Sequence, residues 1–398
     1  MIQLSDRLLA MEESATLAMS RKSRELKALG KDVISLSLGE PDFYTPQFIK
    51  DAAVEAMEQN FTMYTPVSGY DDLREAIANK FMRDNSIRYT KDQIVVSTGA
   101  KQSIANLVMS TINPGDEVII PAPYWVSYAE IVKVAEGVPV IVPTAIENDF
   151  KFSPEQFAAA ITPKTKMMMF SSPCNPTGTV YTKEELRALA DVLVKHPDII
   201  VMSDEIYEHI NFVGHHFSLA QFDDVYPQVV TVNGVSKAWA MTGWRVGYIG
   251  APKEIADACN KMQGQFTSAT CSIAQRATIA AVNADPAILK EMIAAFKSRR
   301  ELVLKALAGM PGVKANKPGG AFYVFPDISA FFGKKFGDKV IATAEDLCMY
   351  LLNDGLVALV SGEAFGDPNC LRISYAASEE TLTEAMRRMA DALSKLTV

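Results

Sequence analysis

With 398 residues the chain exceeds the usual size of one core, so a large domain with a smaller companion is expected. Hydrophobic residues make up 48% and charged ones 22%, the proportions of a soluble globular enzyme, which sets aside disordered and fibrous classes. The 39 basic and 47 acidic side chains leave a net charge of -8 with no basic block, which argues against nucleic acid or an anionic membrane surface as a partner.

In chain order, residues 1 to about 38 carry mixed charge and helical spacing and end in a short apolar run at 33–38, read as an arm plus a linking strand. Within the arm, Leu4, Leu8, Met11 and Ala15 recur at amphipathic spacing, leaving an apolar stripe that a partner would cover. β-rich runs then alternate with helical segments, at 94–97, 117–121, 138–142, 166–171, 199–203, 229–233 and 246–250. Such alternation specifies an α/β fold with a mainly parallel seven-stranded sheet covered by helices on both faces. After about residue 290 the pattern becomes a long charged helix at 290–308, strands at 321–325, 356–360 and 371–375, and a C-terminal helix, an α+β second domain. The expected division is an arm and linking strand at 1–40, counted with the small domain, a large domain at 41–290 and a small domain at 291–398. No repeat, P-loop or G-x-G-x-x-G is present.

No signal-peptide pattern opens the chain, and no stretch approaches the roughly 18 uncharged apolar residues of a membrane span, so a cytoplasmic location is expected. Cys174, Cys259, Cys271, Cys348 and Cys370 are scattered without a C-x-x-C and read as reduced, mostly buried thiols. His196, His209, His215 and His216 offer no H-E-x-x-H and cluster on what reads as a surface segment, so no metal is assigned.

Ligands in open α/β sheets collect beyond the carboxyl ends of the strands. The chemically informative residues fall there: Gly99 follows one run, Asn175 another, Asp204 a third, Ser236 and Lys237 a fourth. Lys237 and Arg245 hold an amine and a guanidinium in one strand-ending loop, an arrangement suited to a cofactor carrying an aldehyde and a phosphate. Asp204 ends the apolar run Ile199-Ile200-Val201-Met202-Ser203, where an unpaired carboxylate is unfavourable, so it needs a partner or caps the following helix. In Ser97-Thr98-Gly99-Ala100-Lys101-Gln102 a strand gives way to the helical run 103–112, whose first N–H groups suit a phosphate. Arg372 lies among apolar neighbours on a strand and demands a fixed anion, a structural ion pair or a substrate carboxylate.

The ordered set resembles the class I and II aminotransferases, pyridoxal-phosphate enzymes of the aspartate aminotransferase fold, from the arm to the C-terminus. It consists of Asn175 in Ser172-Pro173-Cys174-Asn175-Pro176-Thr177-Gly178, Asp204 and Tyr207 in Ser203-Asp204-Glu205-Ile206-Tyr207, Lys237 and Arg245 in the stretch from Ser236 to Arg245, and Arg372. Within that family it looks most like the bacterial aspartate aminotransferases of subgroup Ib, some of which also accept prephenate. The resemblance implies a fold-type I transferase, pyridoxal 5′-phosphate as cofactor, L-aspartate and 2-oxoglutarate as substrates with prephenate a further acceptor, and a homodimer.

Residue by residue, the resemblance implies that Lys237 bonds the cofactor aldehyde and shuttles a proton, that Asp204 keeps the pyridine nitrogen protonated, and that Tyr207 and Asn175 hydrogen-bond the phenolic oxygen. Gly99, Ala100 and Lys101 form the turn that meets the phosphate, with Ser236 and Arg245 completing the cradle, and Tyr64 reaches it from the neighbouring subunit. Trp125 stacks on the ring. On the substrate side, Arg372 and the Gly39 backbone take the α-carboxylate, with Asn175 and Trp125 alongside and Thr16 a further contact. The segment 265–272 resembles the one that carries a second arginine in better-known aspartate enzymes, and here it contains none, so Lys101 is assigned the distal carboxylate. An aminotransferase of aromatic or alanine specificity, or a carbon–sulfur lyase, would share the same cofactor residues. A cofactor-sensing regulator would need a DNA-binding domain for which there is little room ahead of Gly39.

Overall fold

The computed structural model describes residues 3–397. A seven-stranded sheet organises the larger part: β1 Ile94–Ser97, β2 Glu117–Ala122, β3 Val138–Pro143, β4 Thr165–Ser171, β5 Ile200–Asp204, β6 Val229–Gly234 and β7 Gly247–Gly250, in the spatial order β1-β7-β6-β5-β4-β2-β3. The pairs from β6 through β3 are parallel, and β7 runs antiparallel to both neighbours. Each strand falls within two residues of the run that announced it, because the inner strands, buried on both faces, are largely apolar and stand out between polar helices, while the edge strand β3, half-buried, keeps an apolar run. In β4, Met167 and Met169 join one core cluster while Met168 and Phe170 join the cluster on the opposite face, the two-residue alternation of a pleated strand.

Beyond Lys290–Ala308, found with the expected bounds, a three-stranded antiparallel sheet orders Val360–Ser361, Leu371–Ser374 and Tyr323–Val324. Ile34–Ser35 pairs in parallel with Val357–Ala358, tying the linking strand to this part of the chain.

Three local expectations change. The run at 356–360 is two short strands, because it leaves the pairing with Ile34–Ser35 and enters the pairing with Leu371–Ser374 one residue later. The run at 321–325 contracts to two residues, with Ala321 in the left-handed region at φ 55°. The arm is not one amphipathic helix: Asp6–Leu9 ends, Glu12 donates its backbone N–H to the Glu130 carboxylate at 3.0 Å, and a new helix runs over Ala15–Ala28. A tertiary contact takes the amide that a continuous helix would have used.

Candidate active site

The carboxyl ends of β4, β5 and β6 open into a cavity of about 360 Å³, closed on its other sides by the arm, the segment after residue 37 and the strand carrying Arg372. Asp204 sits at the end of β5 and is buried. Its carboxylate accepts from the Tyr128 hydroxyl at 2.7 Å and from the Ile206 amide at 3.2 Å. Burial pushes its carboxyl up to about 6 despite these donors, the state of a carboxylate that lacks a cation at hydrogen-bond range.

Lys237 follows β6, and its ammonium donates to the Gly39 carbonyl at 2.6 Å. Burial, then the Arg372 charge, brings the amine down to about 8. Tyr207 lies beside it, the amine 5.8 Å from the ring centre. Arg372 is 2% exposed, donates to Asn175 Oδ1 at 3.0 Å and to the Ser37 carbonyl, and its Nε has no partner. Among the described residues no carboxylate pairs with it, so the structural ion pair that would otherwise explain a strand arginine is missing. Burial lowers its affinity for the proton, as expected of a cation awaiting an anion.

On the opposite wall Gly99, at φ 87°, precedes the helix Ala100–Thr111, which begins three residues earlier than expected and brings Ala100 and Lys101 into its first turn. A Cβ at Gly99 would overlap the Arg245 guanidinium, so glycine lets the helix start approach that cation closely. Arg245 is exposed and donates to the Thr242 carbonyl at 2.9 Å. Ser236 is buried and lines the cavity. Lys101 places its amine 4.9 Å over the Trp125 ring, and partial burial followed by repulsion from Arg245 lowers its pKa.

The cavity thus gathers Gly39, Thr16, Ala100, Lys101 and Trp125 with Asn175, Asp204 and Tyr207. Ser236, Lys237, Arg245 and Arg372 complete it, and Gly99 stands just behind the wall. Tyr64 is fully exposed and does not line the cavity of its own chain. These groups fit pyridoxal 5′-phosphate: an amine with lowered pKa for an aldehyde, a buried carboxylate short of a cation for a ring nitrogen, and a helix start with a guanidinium for a phosphate. The buried Arg372 Nε without a partner leaves donor capacity for a carboxylate.

The polar or aromatic cavity residues that escaped the sequence reading include Ser14, Glu40, Tyr128 and Tyr323. Tyr128 had a weak signal, an aromatic three residues after Trp125 at the start of a helix, and the two rings meet edge to face at 5.5 Å. Tyr323, inside an apolar run, reads like any core tyrosine. Histidine placement also changes. His216 is buried with Nε2 3.0 Å from Glu205, and His209 lies 3.4 Å from Glu208, behind the site and off the surface. Glu205, Glu208 and His216 approach within 4.8 Å, and Lys80 pairs with Glu208 in the same network.

Fold and cavity together place a ligand site where the strands give way to loops. The sequence pattern of aminotransferase class I and II matches residues 31–389, and the chain belongs to that family. It is 47% identical to the aspartate/prephenate aminotransferase of Nitrosomonas europaea over 99% of this chain and all of that one. It is 45% identical to a bifunctional aspartate aminotransferase and glutamate/aspartate-prephenate aminotransferase of Petunia hybrida, over 98% of this chain and 83% of that one. The crystal structure of the aspartate aminotransferase from Rhizobium meliloti superposes with a TM-score of 0.96 at 42% identity, covering both chains fully. The Thermus thermophilus aspartate aminotransferase with maleate superposes at 0.93 and 43% identity, over 98% of this chain and 100% of that one.

Proposed function

We propose that this chain is a pyridoxal-phosphate aminotransferase that moves the amino group between L-aspartate and 2-oxoglutarate, with prephenate a further acceptor. The observation that carries the reading is one cavity holding an amine of lowered pKa, Lys237, a buried carboxylate without a cation, Asp204, and a buried arginine without a carboxylate, Arg372. Relatives named for aspartate and prephenate support the substrates, and the Thermus thermophilus structure with maleate, a dicarboxylate, supports a site for two carboxylates.

When bound, the cofactor supplies an aldehyde for amines and an aromatic ring that takes up electron density from the substrate Cα. Lys237 is the residue that would hold the aldehyde, and its amine, once free, would be the base that accepts the substrate Cα proton. An amine held at about 8 is partly unprotonated near neutrality, as that task requires. Asp204, oriented by the Tyr128 hydroxyl, would keep the ring nitrogen protonated. Tyr207 and Asn175 would donate to the phenolic oxygen, Trp125 would cover the ring, and Ser236, Arg245 and the amides after Gly99 would hold the phosphate. Arg372, aided by the Gly39 backbone, binds the α-carboxylate, Lys101 the distal one, and Thr16 closes the substrate side.

The same reading includes a cytoplasmic homodimer, with the arm and linking strand at 1–40 grouped with a small domain at 291–398 around a large domain at 41–290. No helix among the described residues is long and apolar enough to cross a membrane. Exposed Tyr64 and Met63, and an open concavity beside Arg245 lined by Thr98, Trp244 and Cys271, support a tyrosine entering from a second subunit.

Loading the protein with cofactor and following its absorbance on addition of aspartate, glutamate, alanine, phenylalanine or tyrosine tests the substrate assignment. Fast conversion by the two acidic donors is expected. Conversion by neutral donors alone would replace aspartate with another specificity, and keto-acid release from cysteine with loss of sulfide would make it a lyase.

A further inference from the structure

Tyr207, in the turn that follows β5, and Tyr323, on the three-stranded sheet, meet hydroxyl to hydroxyl at 2.8 Å. Both are buried, and neither hydroxyl has another partner among the described residues. Two phenols this close share one hydrogen bond, so one donates its proton and the other keeps its own free for a second acceptor. We infer that Tyr323 is a positioning residue: its hydroxyl donates to that of Tyr207 and so leaves the Tyr207 proton aimed into the cavity. The inference rests on the cofactor reading above, since the acceptor for that proton is the phenolic oxygen.

The direction of the bond follows from the surroundings. Burial pushes both phenols up, Tyr207 further than Tyr323, and the Arg372 guanidinium, which favours the ionised form of both, lies 4.6 Å from the Tyr323 ring centre. The more acidic phenol is the better donor. Position is fixed as tightly as direction. The Tyr323 hydroxyl occupies the space where a Cβ of residue 39 would stand, so glycine is required there for the tyrosine to reach its partner. The same Gly39 accepts from Lys237 at 2.6 Å, so the hydroxyl pair, the lysine and the substrate-side backbone form one connected unit.

The experiment uses the cofactor-loaded protein and its absorbance against pH without substrate. A hydrogen bond to the phenolic oxygen favours the form in which the neighbouring nitrogen of Lys237 carries no proton, because the oxygen's charge is then not neutralised from that side. Weakening the bond therefore raises the pH midpoint. Tyr323→Phe keeps the ring and is expected to raise it by about half to one pH unit, a threefold to tenfold change in proton affinity. Tyr207→Phe is expected to raise it more, and Tyr323→Phe to add nothing in that background. Gly39→Ala, whose methyl displaces the hydroxyl, is expected to shift the midpoint upward in the wild type and not in Tyr323→Phe. An unchanged midpoint in Tyr323→Phe, or an equal shift with and without Tyr207, overturns the inference while the cofactor reading stands. A wild-type protein with no cofactor absorbance overturns both.

Discussion

At the scale of single residues, the site is built from charges that the interior would not tolerate alone. Lys237→Ala removes the one amine lining the cavity that sits against Gly39 and Tyr207, so turnover collapses while the fold persists. Borohydride reduction of the loaded wild type followed by peptide mapping should label Lys237, and a label on another lysine would refute its role. Asp204→Asn keeps shape but leaves the ring nitrogen without its counter-ion, so a loss of about 3 kcal/mol or more in transition-state stabilisation is expected, read as several orders of magnitude in kcat. Near-normal turnover would contradict it. Losing one partner of a desolvated charge pair costs about 2–5 kcal/mol, so Lys101→Ala is expected to cut aspartate kcat/KM by tens to thousands of fold and alanine much less. Equal losses would assign Lys101 to the phosphate or the fold. Asp204 and Arg372 were legible because each is a charge on an apolar strand, and Lys101 only through the resemblance, since its local sequence is that of any first-turn lysine.

The element that carries Asp204 and Tyr207 shows how the scaffold holds them. Those two side chains face the cavity, while Glu205 and Glu208 between and after them turn the other way into a buried polar network. Glu205 accepts from Ser203 at 2.9 Å and Ser218 at 2.6 Å. Glu208 accepts from Asn85 at 2.6 Å, Asn233 at 2.8 Å and the Lys80 ammonium. Burial raises the Glu208 pKa, but Lys80, His209 and His216 outweigh it and hold the carboxyl well below the usual range. A carboxylate lowered on folding stabilises above its unfolded pKa, and that contribution is lost as pH falls below about 4.3 toward the folded value. Lys80→Met strands Glu208 in the interior and is expected to destabilise the protein by about 3–5 kcal/mol by urea unfolding, with Lys80→Met/Glu208→Leu recovering much of it. A single variant as stable as the wild type would show that the pair does not anchor this loop.

At the scale of the whole molecule, the single chain leaves apolar surface that a partner would cover. Leu4, Leu8, Leu9 and Leu17 of the arm are more than half exposed or close to it, and Met63 and Tyr64 protrude nearly fully. Sedimentation is expected to give a dimer, and a monomeric, active enzyme would remove that reading. Mixing Tyr64→Phe with Lys237→Ala chains yields heterodimers whose site with intact Lys237 keeps wild-type cofactor affinity if Tyr64 acts across the interface. Affinity equal to the Tyr64→Phe homodimer would put the tyrosine in its own subunit's site.

The seven strands, the long helix at 290–308 and the order of Asn175, Asp204, Lys237 and Arg372 are local properties of the sequence. The strands depend on apolar runs, the helix on its charged periodic pattern, Asp204 and Arg372 on a charge among apolar neighbours, and Asn175 and Lys237 on their place in motifs that resemble the family's; none of these signals needs knowledge of the partners. What tertiary structure alone decided are the pairings between distant segments: Tyr128 against Asp204, Tyr323 against Tyr207 across 116 residues, Glu12 on Glu130 breaking the arm helix, and the split strand at 357–361 that serves two sheets. A tyrosine in an apolar run looks the same whether its hydroxyl meets another tyrosine or nothing, because composition records burial while the direction of a side chain is set by the packing of elements far apart in the chain.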